Sequence, residues 1–207
     1  KSFTLMTEID NMALLKLISN VTNTMSEGEV FQLMKCGDAS LTEEDYLTII
    51  EKKTAVLLSA ACASGAILGS ADPDKIEAFR QFGYKVGMAF QITDDTLDYM
   101  AEKQEFGKTI GKDLEEGKMT LPLIYTLQAC TAEEREKVGG MLSEKIHNEE
   151  TAAFIFRLIQ KYQGVNYSLK SAARYINEAK SLLSVFPDCP EKNHLIAVAE
   201  YILSRKI

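Results

Sequence analysis

Apolar side chains recur every three or four residues along almost the whole chain; Met12, Leu15, Ile18, Val21 and Met25 mark one such stripe. A stripe of that period stays on one face of an α-helix but would point to both faces of a strand, so it can be buried only in helical form. No run alternates apolar and polar residues between turn formers, and the expected class is all-α. The spacing predicts helices over roughly 4–35, 42–69, 74–100, 120–130, 132–146, 150–162, 167–184 and 191–205. Thr42 precedes three acidic residues as an N-cap, and Pro73 stands just inside the next start. "FPDCPEK" opens the last helix in the same way. With no long linker, low-complexity tract or repeat, residues 1–207 read as part of a single helical domain.

Composition narrows the function. A formal charge of −7 leaves no basic stripe dense enough to displace counterions from a nucleic acid, so no nucleic-acid partner is expected. Cys36, Cys62, Cys130 and Cys189 are scattered, without a CxxC pair or a nearby His, and suggest neither zinc nor a disulfide framework. They read as buried thiols in a reducing compartment, the cytoplasm. "TAVLLSAACASGAILG" (54–69) is too short for a membrane span, and its Ala, Gly and Ser suit a tightly packed interior helix. The sequence begins at Lys1 and enters helical periodicity at once, with no leader, as a chain whose N-terminal part is absent would.

The chemistry concentrates in residues 89–123. At about 100° per residue, Gln91, Asp94, Asp95 and Asp98 fall within an arc of roughly 100° on one helix face. Three carboxylates crowded there repel one another unless protons or a divalent cation neutralise them, and hard oxygen ligands suit Mg2+ when a phosphate completes the set. The bland alternative is a solvated acidic face. Against it, the apolar "MAFQI" buries the preceding turn, and Lys103, Lys108, Lys112 and Lys118 follow. Carboxylates for a metal beside lysines for anions are the parts of a diphosphate site. "GKT" at 107–109 is not a P-loop, since Glu102 stands where a Walker A motif needs glycine and a helix precedes it. Lys53 and Thr54 form a second basic candidate inside an apolar helix.

Taken in order, "GEVFQLM", "EKKTAVLLSAACASGAILG", "GMAFQITDDTLDY", "FGKTIGKDLEEGKMTLPLIY" and "FPDCP" resemble the C-terminal two-thirds of trans-isoprenyl (polyprenyl) diphosphate synthases, most nearly the bacterial octaprenyl and related long-chain enzymes. The resemblance implies an isoprenoid-synthase-type helical bundle around a central cavity, with its N-terminal helices missing. It implies condensation of isopentenyl diphosphate with an allylic diphosphate: Mg2+ assists ionisation to an allylic cation, the isopentenyl double bond attacks, and a proton is lost to the released diphosphate. By position, Asp94 would be the main Mg2+ ligand, with Asp95 and Asp98 binding directly or through water. Lys53, Lys108 and Lys118 would hold the allylic diphosphate, and Thr54 and Gln91 would orient substrate. Phe90 and Tyr99 could line the cavity, although aromatic residues at helical spacing are more often core.

The family's first aspartate-rich motif and its isopentenyl diphosphate contacts have no counterpart here, so the chain alone is expected to be inactive and to leave apolar surface on residues 1–35 uncovered. A homodimer is implied, with peripheral membrane contact for product release. Rival readings are a non-catalytic subunit of a heteromeric synthase and a short-chain farnesyl or geranylgeranyl diphosphate synthase. A terpene cyclase is disfavoured by the lack of an NSE-type metal motif.

Overall fold

The computed structural model describes residues 2–100, 111–143 and 149–205, and all regular structure among them is helical. In chain order the helices are α1 (Ser2–Ile9), α2 (Met12–Met34), α3 (Glu43–Ile50), α4 (Val56–Leu68), α5 (Pro73–Leu97), α6 (Lys112–Glu115), α7 (Leu121–Ala129), α8 (Ala132–Ser143), α9 (Glu149–Lys161), α10 (Gly164–Leu182) and α11 (Pro190–Ser204). A π-helical turn at Glu51–Ala55 joins α3 to α4, and a 3-10 turn at Leu183–Val185 follows α10.

Local chemistry sets the ends. Thr42 accepts a hydrogen bond from the Asp45 backbone N–H, while the Asp45 side chain accepts from Thr42, which makes a reciprocal capping box. Pro73 stands at the first position of α5. The helix expected over 4–35 is two helices: Asp10 takes a left-handed conformation (φ 50°), and Asn11 caps α2 by accepting from Leu14 N–H. Asp and Asn tolerate such a break because their short side chains bond the local backbone. The single turn α6 was not expected; left-handed glycines at Gly111 and Gly117 bracket it.

The central element is α5, which packs along α4 and α10 and also meets the π turn, α3, α7 and α11. Phe82, Val86, Met88, Ala89 and Ile92 bury its length. Helix α4 is not the interior helix that its composition suggests. Ala60, Ala63 and Ala66 bury one face, but Leu57 and Leu68 on the other are 43% and 52% exposed. Its small residues serve close approach to α5 rather than enclosure on all sides. Leu5, Ile9, Met12, Val30, Leu33 and Met34 leave an apolar surface on α1 and α2 exposed.

Two glycines grip the π turn. A Cβ at Gly87 of α5 would stand 2.6 Å from the Ala55 Cα, and one at Gly28 of α2 would stand 2.8 Å from the Lys52 Cβ. Gly87→Ala is therefore expected to destabilise the protein by about 1–3 kcal/mol through overpacking against backbone. Gly65→Ala, where a Cβ meets nothing within 4 Å, should stabilise it by up to about 1 kcal/mol through helix propensity. Urea denaturation compares the two, and equal effects would show that the grip at Ala55 is not tight.

Candidate functional site

The π turn presents Lys53 and Thr54 beside the C-terminal half of α5. A π turn widens the helix by one residue and is frequent at functional positions, because it offsets side chains from the regular α phase. The Thr54 hydroxyl donates to Gln91 Oε1 at 2.7 Å, Gln91 Nε2 donates to Asp95 Oδ1 at 2.7 Å, and the Tyr46 hydroxyl of α3 donates to Asp95 Oδ2 at 2.7 Å. Lys53 reaches instead toward α2, where its Nζ donates to Gln32 Oε1 at 2.7 Å and pairs with Glu29 at 3.3 Å.

The three aspartates differ in environment. Asp94 has a half-exposed side chain that accepts from Arg205 Nη2 at 3.2 Å, and the Arg205 guanidinium lies over the Phe90 ring. Asp95 is buried, and loss of hydration pushes its carboxyl up to about 7 against the opposing hydrogen bonds from Tyr46 and Gln91. Asp98 accepts from the Asp113 backbone N–H at 3.0 Å, and desolvation raises it as well, with nearby Asp113 adding to the effect. Burial also holds the Tyr46 phenol well above its ordinary value.

Lys118 closes this side by binding Asp113 at 2.9 Å and Glu116 at 2.7 Å. Burial alone would lower its pKa, but the bonds to these two carboxylates raise it. Lys112 is exposed and faces Glu116 at 3.7 Å. Lys103 and Lys108 lie outside the described residues. Tyr99 is a buried member of the core whose hydroxyl shares a 2.8 Å hydrogen bond with Thr120, so it ties the end of α5 to the start of α7.

Thr54, Gln91 and Asp95 are thus directly linked, while Asp98 and Lys118 meet through Asp113. Four contributors escaped the sequence reading. Asp113 was visible in "GKD" and belongs to the same acid–base segment. Tyr46, Gln32 and Arg205 carry no local signal, since each becomes relevant only through a contact made across 21 or more positions in sequence.

The donor set decides whether a divalent ion suits this face. Asp94 and Asp98 offer hard oxygens one helical turn apart, whereas both Asp95 oxygens already accept short hydrogen bonds. Among the described residues no three His, Cys, Asp or Glu side chains converge on one point. Asp94 and Asp98 could therefore serve such an ion as partial ligands, whose set phosphate or water would have to complete.

The all-helical bundle that carries these carboxylates and lysines has the fold of the isoprenoid synthases, as its likeness to solved polyprenyl synthases shows. A family model described as polyprenyl synthetase matches residues 1–159, and the chain belongs to that family. It is 32% identical to the octaprenyl diphosphate synthase of Escherichia coli (strain K12) over 99% of this chain and 63% of that protein. It is 33% identical to the geranylgeranyl diphosphate synthase of Methanosarcina mazei, over 100% of this chain and 63% of that protein. A crystal structure of polyprenyl synthase from Caulobacter crescentus CB15, complexed with calcium and isoprenyl diphosphate, superposes with a TM-score of 0.93 at 35% identity, covering 99% of this chain and 62% of that one. The chain thus spans less than two thirds of the length of these relatives. Among its described residues no helix is long and apolar enough to cross a membrane.

The bond between Tyr99 and Thr120 is a checkable part of this frame. Removing one partner strands a buried hydroxyl, so Thr120→Val is expected to cost about 1–3 kcal/mol. The Tyr99→Phe/Thr120→Val double variant should recover part of that loss. Urea melts of Tyr99→Phe, Thr120→Val and the double variant test the coupling, and strictly additive losses would remove it.

Proposed function

We propose that residues 1–207 form the C-terminal part of a single all-helical domain and carry the allylic-diphosphate side of a trans-polyprenyl diphosphate synthase. The reaction breaks the allylic C–O bond, forms a C–C bond to the isopentenyl double bond, releases diphosphate and loses one proton. One observation carries the reading: Thr54 of the π turn, Gln91 and Asp95 of α5 and Tyr46 of α3 are connected at the turn of α5 that also bears Asp94 and Asp98. The C. crescentus relative, bound to calcium and isoprenyl diphosphate, supports a divalent ion and a diphosphate as the ligands.

Asp94 and Asp98 would hold the ion, which we take to be Mg2+. When bound, it supplies stabilisation of the negative charge that grows on the leaving diphosphate. Lys53 and Lys118 would bind the diphosphate, with Lys108, outside the described residues, as a third cation. The ammonium groups of Lys53 and Lys118 are now held by Gln32, Glu29, Asp113 and Glu116, in pairs about a quarter exposed on the lysine side. Exchanging such partly solvated pairs for phosphate oxygens costs little. Thr54 and Gln91 would orient the substrate end next to the breaking bond. The reading carries with it a homodimer in the cytoplasm, with peripheral membrane contact for product release. A long-chain product follows the octaprenyl relative, while the geranylgeranyl relative at similar identity favours a shorter one as the second reading.

The test is kinetic, on the protein as its gene encodes it. Asp94→Ala and Lys53→Ala should each lower kcat by about a hundred- to a thousandfold, and should change the allylic KM far less, because the contacts strengthen as charge develops. Asp98→Ala should be milder. Turnover close to wild type in both Asp94→Ala and Lys53→Ala would return the aspartates to the role of a solvated acidic face.

A further inference from the structure

Asp95 stands apart from the two aspartates beside it. It is 7% exposed, and each of its oxygens accepts one hydrogen bond of 2.7 Å, from the Tyr46 hydroxyl on α3 and from Gln91 Nε2 one turn back on α5. Both Asp95 oxygens act as acceptors in this arrangement, which fixes the direction of the groups attached to them. Gln91 must turn its NH2 end to Asp95, and its carbonyl end is then left to accept from Thr54, as it does at 2.7 Å. The Thr54 hydroxyl has a single hydrogen, which Gln91 receives, so the same oxygen offers only lone pairs to any other neighbour. Without Asp95 the Gln91 amide could flip, and Thr54 would lose its acceptor.

Tyr46 supplies what Asp95 requires in turn. Its ring is 2% exposed, and it directly follows the capping-box residue Asp45, which fixes the start of α3. The hydroxyl is therefore delivered to Asp95 from a second, separately capped helix. A carboxylate enclosed this way is 7% exposed and has a lone pair on each oxygen engaged, so an ion reaches it only if the packing around Tyr46 and Gln91 opens, and an unpaired buried phenol is costly.

We infer that Asp95 is a positioning residue rather than an ion ligand, and that Tyr46 is its anchor: together they orient the Gln91 amide and, through it, the Thr54 hydroxyl. The inference rests on the reading of Asp94 as an ion-holding residue given above and assigns a different task to its neighbour. It predicts that disturbing Tyr46 or Asp95 loosens Gln91 while leaving ion binding intact.

Three measurements on the gene-encoded protein test it. Mn2+ binding in the presence of inorganic diphosphate, followed by electron paramagnetic resonance, should weaken at least about tenfold in Asp94→Asn and stay within about twofold of wild type in Asp95→Asn and Tyr46→Phe. In protein labelled with 15N-glutamine, exchange of the Gln91 side-chain amide protons should quicken at least about tenfold in both Asp95→Asn and Tyr46→Phe, with Gln81 unchanged as the control. Steady-state kinetics should show kcat falling by up to about a hundredfold in those two variants at a nearly constant allylic KM. Tyr46→Phe keeps the buried ring, so it decides the matter if Asp95→Asn fails to fold. Loss of Mn2+ affinity in Asp95→Asn equal to that in Asp94→Asn would overturn the inference and leave the prenyl-transfer reading standing. Gln91 exchange indifferent to both substitutions would overturn it as well. If Asp94→Asn leaves Mn2+ binding untouched, the ion-holding reading falls, and the Gln91 result still decides the positioning role.

Discussion

The backbone of α5 touches the backbone of the π turn at Gly87 and Ala55, and the arrangement of the site descends from that contact. A side chain at position 87 would collide with the Ala55 Cα, so the absence of a Cβ lets two helices approach more closely than ordinary side-chain packing allows. Gly28 performs the same service from α2, against residues 52 and 53. Held between two glycines, a wide and otherwise unfavourable turn becomes a fixed platform. Lys53 and Thr54 stand on that platform, and Gln91 lies one helical turn beyond Gly87 on the helix that presses against it.

Electrostatics then sorts three chemically identical carboxylates into different situations. Asp95 lies in the core, where among the described residues its oxygens accept from Tyr46 and Gln91. Asp94 sits at the surface with Arg205 for a counterion, and Asp98 is shared with a backbone amide of the short α6 turn. A helix that crowds acids on one face would ordinarily be strained by their repulsion. Here the hydrogen bonds from Tyr46 and Gln91, a guanidinium and a backbone N–H divide the load, and α5 stays regular to Leu97.

Much of this was legible in the chain itself. The period of the apolar residues predicted an all-helical architecture, and capping at Thr42 and Pro73 placed two helix starts to within a residue. The shared arc of Gln91, Asp94, Asp95 and Asp98 follows from helix geometry alone. What the one-dimensional pattern could not show were properties of the third dimension. A π turn has no distinctive composition, so 42–69 read as one uninterrupted α-helix. Burial of Asp95 depends on Tyr46, 49 positions away, and the outward face of α4 looks as apolar as its inward one. The break at Asp10–Asn11 did have a signal in its residue types, overridden by the continuous apolar stripe on either side.

The two walls of the site differ in stiffness. On one side, backbone contact and three hydrogen bonds of 2.7 Å hold Thr54, Gln91, Asp95 and Tyr46. On the other, the attachments are partly solvated ion pairs: Arg205 to Asp94, and Lys118 to Asp113 and Glu116. Water competes for such pairs, so they open and re-form at little cost, while the glycine-gripped wall can shift only if the bundle itself loosens. A ligand entering here would meet a rigid template on one flank and exchangeable counterions on the other. It could be drawn in by local rearrangement of a few side chains without disturbing the helices that set the geometry.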